Sequence, residues 1–490
     1  MSRKKLTVLF VSAEAAPFAK VGGLADVVGT LPEVLFENGC DARVIMPFYR
    51  KIKEKYADRS KFLGWSMIKL GWRSQYSGLY SYVHGKVTYY FVDNEYFFGH
   101  DKIYIDYNFD IERFCFFQRA VLEAAANRIG FRPDIIHCND WQSAMIPVLL
   151  KAHYQSCGYL SSTKTILTIH NLKYQGIHSK EMVEDLMDLP GQYMNAEGVL
   201  FNGAANFLKA GIVYADSVTT VSPSYSEEIL THEYGEGLEG ILWEYSNKLT
   251  GILNGIDHNE YDPSSDEHIV MNYDINNFRE GKRECRRALR KELGLKQTEA
   301  VPIAAMITRL VDQKGLDIFA GACEDIMKMP VQIIVLGTGD PYYEKLVADI
   351  ARKYPGRFSA SVTFDNSLAH RIYAGSDMFL MPSLFEPCGL SQLISMRYGT
   401  VPVVRETGGL KDTVQPYNEF TGEGTGFTFN NVSSGELAYI TGYAVMIYRD
   451  KKDAWDWLIR KGMQQDFSWK ASALKYLSIY RNIPGKYNDK

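Results

Sequence analysis

A chain of 490 residues, 46% hydrophobic and 23% charged, has room for two or three domains with cores of their own and is too apolar for a long disordered or fibrous protein. Its 54 Lys and Arg against 58 Asp and Glu give a net charge of −4, so no basic surplus points to a nucleic-acid or membrane-surface partner. The seven cysteines include no C-x-x-C pair, which predicts reduced thiols and a cytoplasmic address and argues against a disulfide framework or a thiolate zinc site.

In chain order, Arg3, Lys4 and Lys5 precede an apolar run at 6–11. Six residues fall short of the ~7–15 of a signal-peptide core, so a buried first strand is predicted. Further short apolar runs rich in Val and Ile, at 42–46, 134–137, 165–170, 217–221, 303–307, 332–336, 378–381 and 401–404, do not alternate with polar residues and predict strands of parallel sheet covered on both faces. None approaches the ~18 apolar residues of a membrane span. The pattern begins twice: the first run leads to Gly22-Gly23, and 303–307 leads to Gln313-Lys314-Gly315. Between them, 257–302 is polar. Its stretch 282–293 predicts a helix stopped at Gly294, whose six Lys or Arg, interrupted by Glu284 and Glu292, read as a solvated face.

This predicts an α/β chain of two doubly wound parallel-sheet domains, 1–252 and 253–463, with the boundary near 250–256. Ligands of such sheets bind beyond the carboxyl ends of the strands. Polar residues from both halves follow those ends, which predicts one cleft faced by two domains.

The motifs narrow the chemistry. There is no G-x-x-x-x-G-K-[ST] loop, no D-x-D and no H-E-x-x-H, so neither a P-loop NTPase nor a metal site of known spacing is indicated. Gly337-Thr338-Gly339-Asp340 falls short of a dinucleotide fingerprint. Thr407-Gly408-Gly409-Leu410, after a strand, has the form of a turn whose N–H groups bind an anion. Arg309 and Lys314 follow another strand and read either as loop surface charges or as cations that neutralise a diphosphate leaving group. Glu386, between Phe385 and Pro387, reads equally as a sugar-binding carboxylate or as an acid at a helix N-terminus. Asp140 has the same two readings, and the pair also permits glycosidase-like acid/base work. His170-Asn171 is a polar pair at a strand tip. Residues 65–117 hold 17 aromatics, mostly core, with a minority available to stack on sugars. Cys388 reads as a small buried hydrophobe.

Six segments in order carry a resemblance. They are Lys20-Val21-Gly22-Gly23-Leu24-Ala25-Asp26-Val27, His170-Asn171-Leu172-Lys173-Tyr174-Gln175-Gly176, Leu253-Asn254-Gly255-Ile256-Asp257, Thr308-Arg309-Leu310 with Gln313-Lys314-Gly315, Glu386-Pro387-Cys388-Gly389-Leu390, and Thr407-Gly408-Gly409-Leu410. Together they resemble the bacterial glycogen synthase and plant starch synthase family, retaining glucosyltransferases of the GT-B fold.

The resemblance implies transfer of glucose from ADP-glucose to the non-reducing end of an α-1,4-glucan such as glycogen, without a cofactor or metal. It implies catalytic roles for Glu386, Arg309, Lys314, His170 and Asp140. Donor contacts are implied for Lys20, Gly22, Gly23, Asn171, Asn254, Tyr373, Thr407, Gly408 and Gly409, with adenine and ribose near His370, Arg371 and Tyr373. A terminal helix within 464–490 is implied to return to the first domain.

Two departures stand out: Asn139 and Gln142 replace the His common in relatives, and Glu406 stands where some carry a basic residue. Ile394 occupies the position of a second Glu found in the sucrose synthase branch, which favours the glycogen and starch branch. The rivals are a UDP-glucose-dependent GT-B transferase, a glycosidase, which leaves Arg309 and Lys314 unexplained, and a non-catalytic glucan-binding protein, which has no need of Lys20, Arg309, Lys314 and Glu386 together.

Overall fold

The computed structural model describes residues 5–154 and 158–483; Arg3, Lys4 and the end of the expected terminal helix, 484–490, lie outside them. The chain divides into two compact units, one running to Leu253 and resuming at Trp469, the other Asn254–Ser468.

The first unit is built on a nine-stranded sheet. Its strands are β1 (Leu6–Val11), β2 (Cys40–Pro47), β3 (Lys61–Leu70), β4 (Arg73–His84), β5 (Val87–Asp93), β6 (Ile135–Asn139), β7 (Lys164–Ile169), β11 (Ser217–Thr220) and β12 (Leu249–Gly251); β8 (Ile177–His178), β9 (Leu200–Phe201) and β10 (Ala204–Asn206) form a separate small sheet. The large sheet runs β12-β11-β7-β6-β1-β2-β5-β4-β3. Its centre is parallel and almost wholly buried, as in β1 and β6, which is why these strands are continuous apolar runs.

The edge differs. β4 pairs antiparallel with both β3 and β5, and β3 alternates exposed and buried positions. A strand with one wet face carries no continuous apolar run, so this hairpin is absent from the sequence expectation. It takes up part of the aromatic-rich segment, with Trp65 stacked on Tyr76 at its exposed face.

Three helices matter for the first unit: α1 (Gly23–Glu37), α2 (Tyr107–Asn127) and the last helix, α8 (Trp469–Asn482). The last packs on α1 and is pinned to the sheet by His137 of β6, whose Nδ1 lies 2.7 Å from the Tyr480 hydroxyl and whose Nε2 lies 2.6 Å from Thr168 Oγ1. Burial lowers the His137 pKa to about 3, so the ring is neutral.

The second unit has six strands, all parallel, in the order β15-β14-β13-β16-β17-β18. These are β13 (Ile303–Ile307), β14 (Gln332–Leu336), β15 (Phe358–Ser361), β16 (Met378–Met381), β17 (Val401–Arg405) and β18 (Phe427–Phe429). Helices α3 (Phe278–Glu292), α4 (Asn366–Gly375), α5 (Gly408–Thr413), α6 (Ser434–Asp450) and α7 (Lys452–Met463) surround it. Gly294, at φ +68°, ends α3 where a left-handed residue is needed.

Candidate active site

Each unit carries its own set of polar residues beyond the carboxyl ends of its strands. In the first unit the set is organised by internal hydrogen bonds. The Glu14 carboxylate, just past β1, accepts from the backbone N–H of Val21 (2.6 Å), from that of Gly22 (3.1 Å) and from the Tyr104 hydroxyl (2.7 Å). Glu14 thus holds the loop of the first motif, which no motif match identifies; its sequence signal is one acid inside an alanine-rich run after a buried strand. Lys20 lies on the outside of this loop, paired with Asp26 at 2.5 Å.

Asp140 and His170 join the tips of β6 and β7. Asp140 is left-handed (φ +53°), and its carboxylate accepts from the N–H groups of His170 (2.7 Å) and Asn171 (3.4 Å). Burial pushes its pKa up to about 7, against the pull of those two donors. Asn139 fixes the His170 ring. Its Nδ2 donates to the carbonyls of Val11 (3.1 Å) and His137 (3.2 Å), so its Oδ1 is the acceptor facing His170 Nε2 at 2.9 Å. The proton is therefore assigned to Nε2, leaving Nδ1 as acceptor. Burial lowers the His170 pKa to about 3, and the ring is a neutral wall rather than a titrating acid or base. The Asn171 amide oxygen accepts from Lys173 N at 3.1 Å, closing the turn.

The second unit presents charge. Arg309, beyond β13, is exposed and makes no side-chain hydrogen bond or ion pair among the described residues. Lys314 donates to Glu386 at 2.6 Å, and Ser383 Oγ donates to the same oxygen at 3.1 Å. Both partners of this pair are largely buried, beside a cavity of about 50 Å³ also lined by Thr308 and Ser391.

Gln313 zips the two loops together: its carbonyl accepts from Leu384 N (2.9 Å) and its Nε2 donates to the Phe385 carbonyl (3.2 Å). Arg405, at the end of β17, donates to the carbonyls of Ser383 and Leu384. Gln313 lies within a motif but was given no role from sequence, and Arg405 was not singled out, because both act on backbone carbonyls. Cys388 is buried and its thiol is pushed up to about 12 by burial, as a small hydrophobe would be.

Several expected site residues are placed otherwise. Tyr373 is buried in α4 with its ring stacked on Phe379, so it offers no face to a base. His370 is also buried, hydrogen-bonded to Asp266 at 2.8 Å, and Arg371 pairs with Glu292. The ring that does face outward is Phe364, 78% exposed, between the end of β15 and α4.

The paired glycines are not an open set of anion donors. The N–H groups of Thr407, Gly409 and Leu410 are bonded to the carbonyls of Arg405, Glu386 and Thr407. A Cβ at Gly408 or Gly409 would collide with the carbonyl oxygen of Glu386 or Cys388, so the pair lets the Glu386 loop pack against this turn. Asn254 is buried, with its Oδ1 unpartnered. Among the described residues no group of three His, Cys, Asp or Glu is placed to hold a metal ion, and no helix is long and apolar enough to cross a membrane.

Comparison with known proteins covers both units. The family described as starch synthase catalytic domain matches residues 7–244, and glycosyl transferases group 1 matches 301–439. A glycogen synthase of Lachnospira eligens is 47% identical over 97% of this chain and 99% of its own. The chain belongs to the glycogen and starch synthase family. A glycogen synthase of Exiguobacterium sibiricum is equally similar, at 47% over 98% of this chain and 99% of its own. Among solved structures, the catalytic domain of starch synthase IV from Arabidopsis thaliana, bound to ADP and acarbose, superposes with a TM-score of 0.91 at 33% identity, covering 98% of this chain and 99% of that one. Sucrose-phosphate synthase from Thermosynechococcus elongatus shares the fold alone, with a TM-score of 0.62 at 18% identity over 98% of this chain. The fold is GT-B, with two Rossmann-like sheets, and membership of this glycosyltransferase family supports retaining glucosyl transfer as the activity.

Proposed function

We propose that the protein lengthens an α-1,4-glucan by transferring glucose from ADP-glucose to the non-reducing end, with retention of configuration and without a metal, in the cytoplasm. An identity of 47% to a glycogen synthase over nearly the whole chain carries this reading, and the Lys314–Glu386 pair, with Arg309 after a strand of the same sheet, is the chemistry that fits it. Arg309 and Lys314 stabilise the departing diphosphate, replacing the divalent ion that a D-x-D motif would hold. Lys314 leaves its carboxylate partner in part when phosphate arrives, and Glu386 then accepts from sugar hydroxyls. The transition state is oxocarbenium-like. The acceptor hydroxyl attacks the face the diphosphate leaves, and its proton passes to the leaving phosphate, so no strong protein base is required. Phe364 supplies the exposed ring against which a nucleotide base stacks, in place of Tyr373.

The decisive experiment is nucleoside diphosphate release by purified protein with glycogen and EDTA, comparing ADP-glucose with UDP-glucose. Rapid, glucan-dependent release of ADP is expected. A preference for UDP-glucose, release without glucan, or loss of activity in EDTA overturns the corresponding part of the reading.

A further inference from the structure

The basic stretch at 282–293 does more than face solvent. Its helix, α3, forms one wall of a second cavity of about 880 Å³, whose other wall comes from Tyr448 of α6 and Lys452, Trp455 and Asp456 of α7. That volume lies in the range of small-molecule sites. Seven of the seventeen lining residues are Lys or Arg and four are Asp or Glu, in a protein whose net charge is −4.

Much of this charge is neutralised locally. Arg279 pairs with Asp456, Arg283 with Glu284, and Arg286 with Asp377 at 2.8 Å. Lys282 is buried among the carbonyls of Ala374 and Tyr398 and the Thr400 hydroxyl. Arg287 and Lys452 remain exposed, and neither makes a side-chain hydrogen bond or ion pair among the described residues; Lys452 rests 4.0 Å over the Tyr448 ring. Arg290 donates to Gln332 and to the Val301 carbonyl, both uncharged; Asp377 and Glu299 act on it from a distance, and Asp377 and Asp456 act on Lys452, which still leaves seven cations against four acids along the cavity. Desolvation lowers the Lys452 pKa, against the pull of Asp377. The folded protein therefore holds uncompensated positive charge in a concave site, where it acts more strongly than on an open helix face.

The cavity is separate from the substrate site. Val301, Gln332 and Asp377 stand at the amino ends of β13, β14 and β16, whereas Arg309, Lys314 and Glu386 follow the carboxyl ends. Five residues of strand put about 15 Å between them.

We propose that this cavity binds a small polyanion carrying two phosphoryl groups, held by Arg287, Lys452 and Arg290. Two phosphoryl groups bring roughly −3 to −4, against a surplus of three positive charges left by seven lining cations and four lining acids. Free diphosphate and a bisphosphorylated sugar share this chemistry, and the volume leaves room for the sugar.

The test is calorimetric titration of the full-length protein, saturated with ADP to occupy the donor site, using inorganic pyrophosphate in one arm and a hexose bisphosphate in the other. Binding that persists in ADP is expected, weakened at least tenfold in an Arg287→Glu, Lys452→Glu double variant and several-fold in Arg287→Gln, with ADP affinity unchanged. Tighter binding of the hexose bisphosphate identifies the sugar as part of the ligand; equal binding identifies diphosphate. Absence of heat from both probes, binding abolished by ADP, or binding unaltered in both variants overturns the proposal. Failure of ADP itself to bind would instead overturn the donor assignment above.

Discussion

The two sets of candidate residues, one in each unit, are built on opposite plans. In the first unit the motif residues bond chiefly to one another and to the backbone: Glu14 grips the 21–22 loop, Asp140 caps the turn after β7, and Asn139 orients His170. In the second unit, Arg309 is left open, and Lys314 and Glu386 share a partly buried ion pair. The first set is a hydrogen-bonded scaffold and the second an array of charge. Substitutions in the first should therefore register mainly as stability, and those in the second mainly as rate.

The sharpest way to break that contrast is Lys314→Ala. Loss of transition-state charge stabilisation is expected to lower kcat by roughly 10²–10³, or about 3–4 kcal/mol. A rise in KM with kcat intact, measured by ADP release, would show that Lys314 contributes only uniform binding. On the other side, Asn139→Ala removes the acceptor of His170 and two donors from a buried cluster, and is expected to cost about 1–3 kcal/mol in urea unfolding. A normal unfolding midpoint would remove the basis for calling the first set a scaffold.

Proton linkage tests the same contrast at a smaller scale. His137 and His170, lowered to about 3 from 6.5, take up protons on unfolding between those values, so their contribution is complete above pH 6.5 and lost as pH falls. Asp140, raised to about 7 from 3.8, acts in the opposite sense, because its unfolded form releases a proton over that range. Around pH 5 the three together give a net uptake of about one proton, a rise in stability of about 1.4 kcal/mol per pH unit. Asp140→Asn should steepen that slope, and an unchanged slope would contradict the pKa assigned to Asp140. Least of all, Lys20→Ala breaks a half-exposed pair and should change stability by no more than ~0.5 kcal/mol. An increase in the KM for ADP-glucose would then mark Lys20 as a donor contact.

Much of this architecture is legible in the residues themselves. The runs at 303–307, 332–336 and 378–381 coincide with β13, β14 and β16, because strands buried on both faces leave an unbroken apolar record. β3 and β4 escaped because one wet face dilutes that record. In the second unit, Lys314 and Glu386 meet past the ends of their strands, as the strand-end rule requires, and Arg309 follows β13. The placing of Tyr373 was not legible, because a helical position one turn from a strand cannot reveal which face the core takes. The glycines at 408 and 409 carry the right signal for the wrong reason: they mark a close approach, made here by the protein's own backbone instead of a ligand. The roles of Gln313 and Arg405 were invisible because their partners are carbonyl groups far away in sequence.

The returning helix α8 sets an order on synthesis. The floor of the first unit around His137 is finished only by Tyr476 and Tyr480. The 215 residues of Asn254–Ser468 must leave the ribosome before those tyrosines exist. At ~5–20 residues per second, the first unit waits about 10–40 s with a bare patch on its sheet. A chain stopped shortly before Trp469 would keep that patch for good, although every motif of the candidate site would be present.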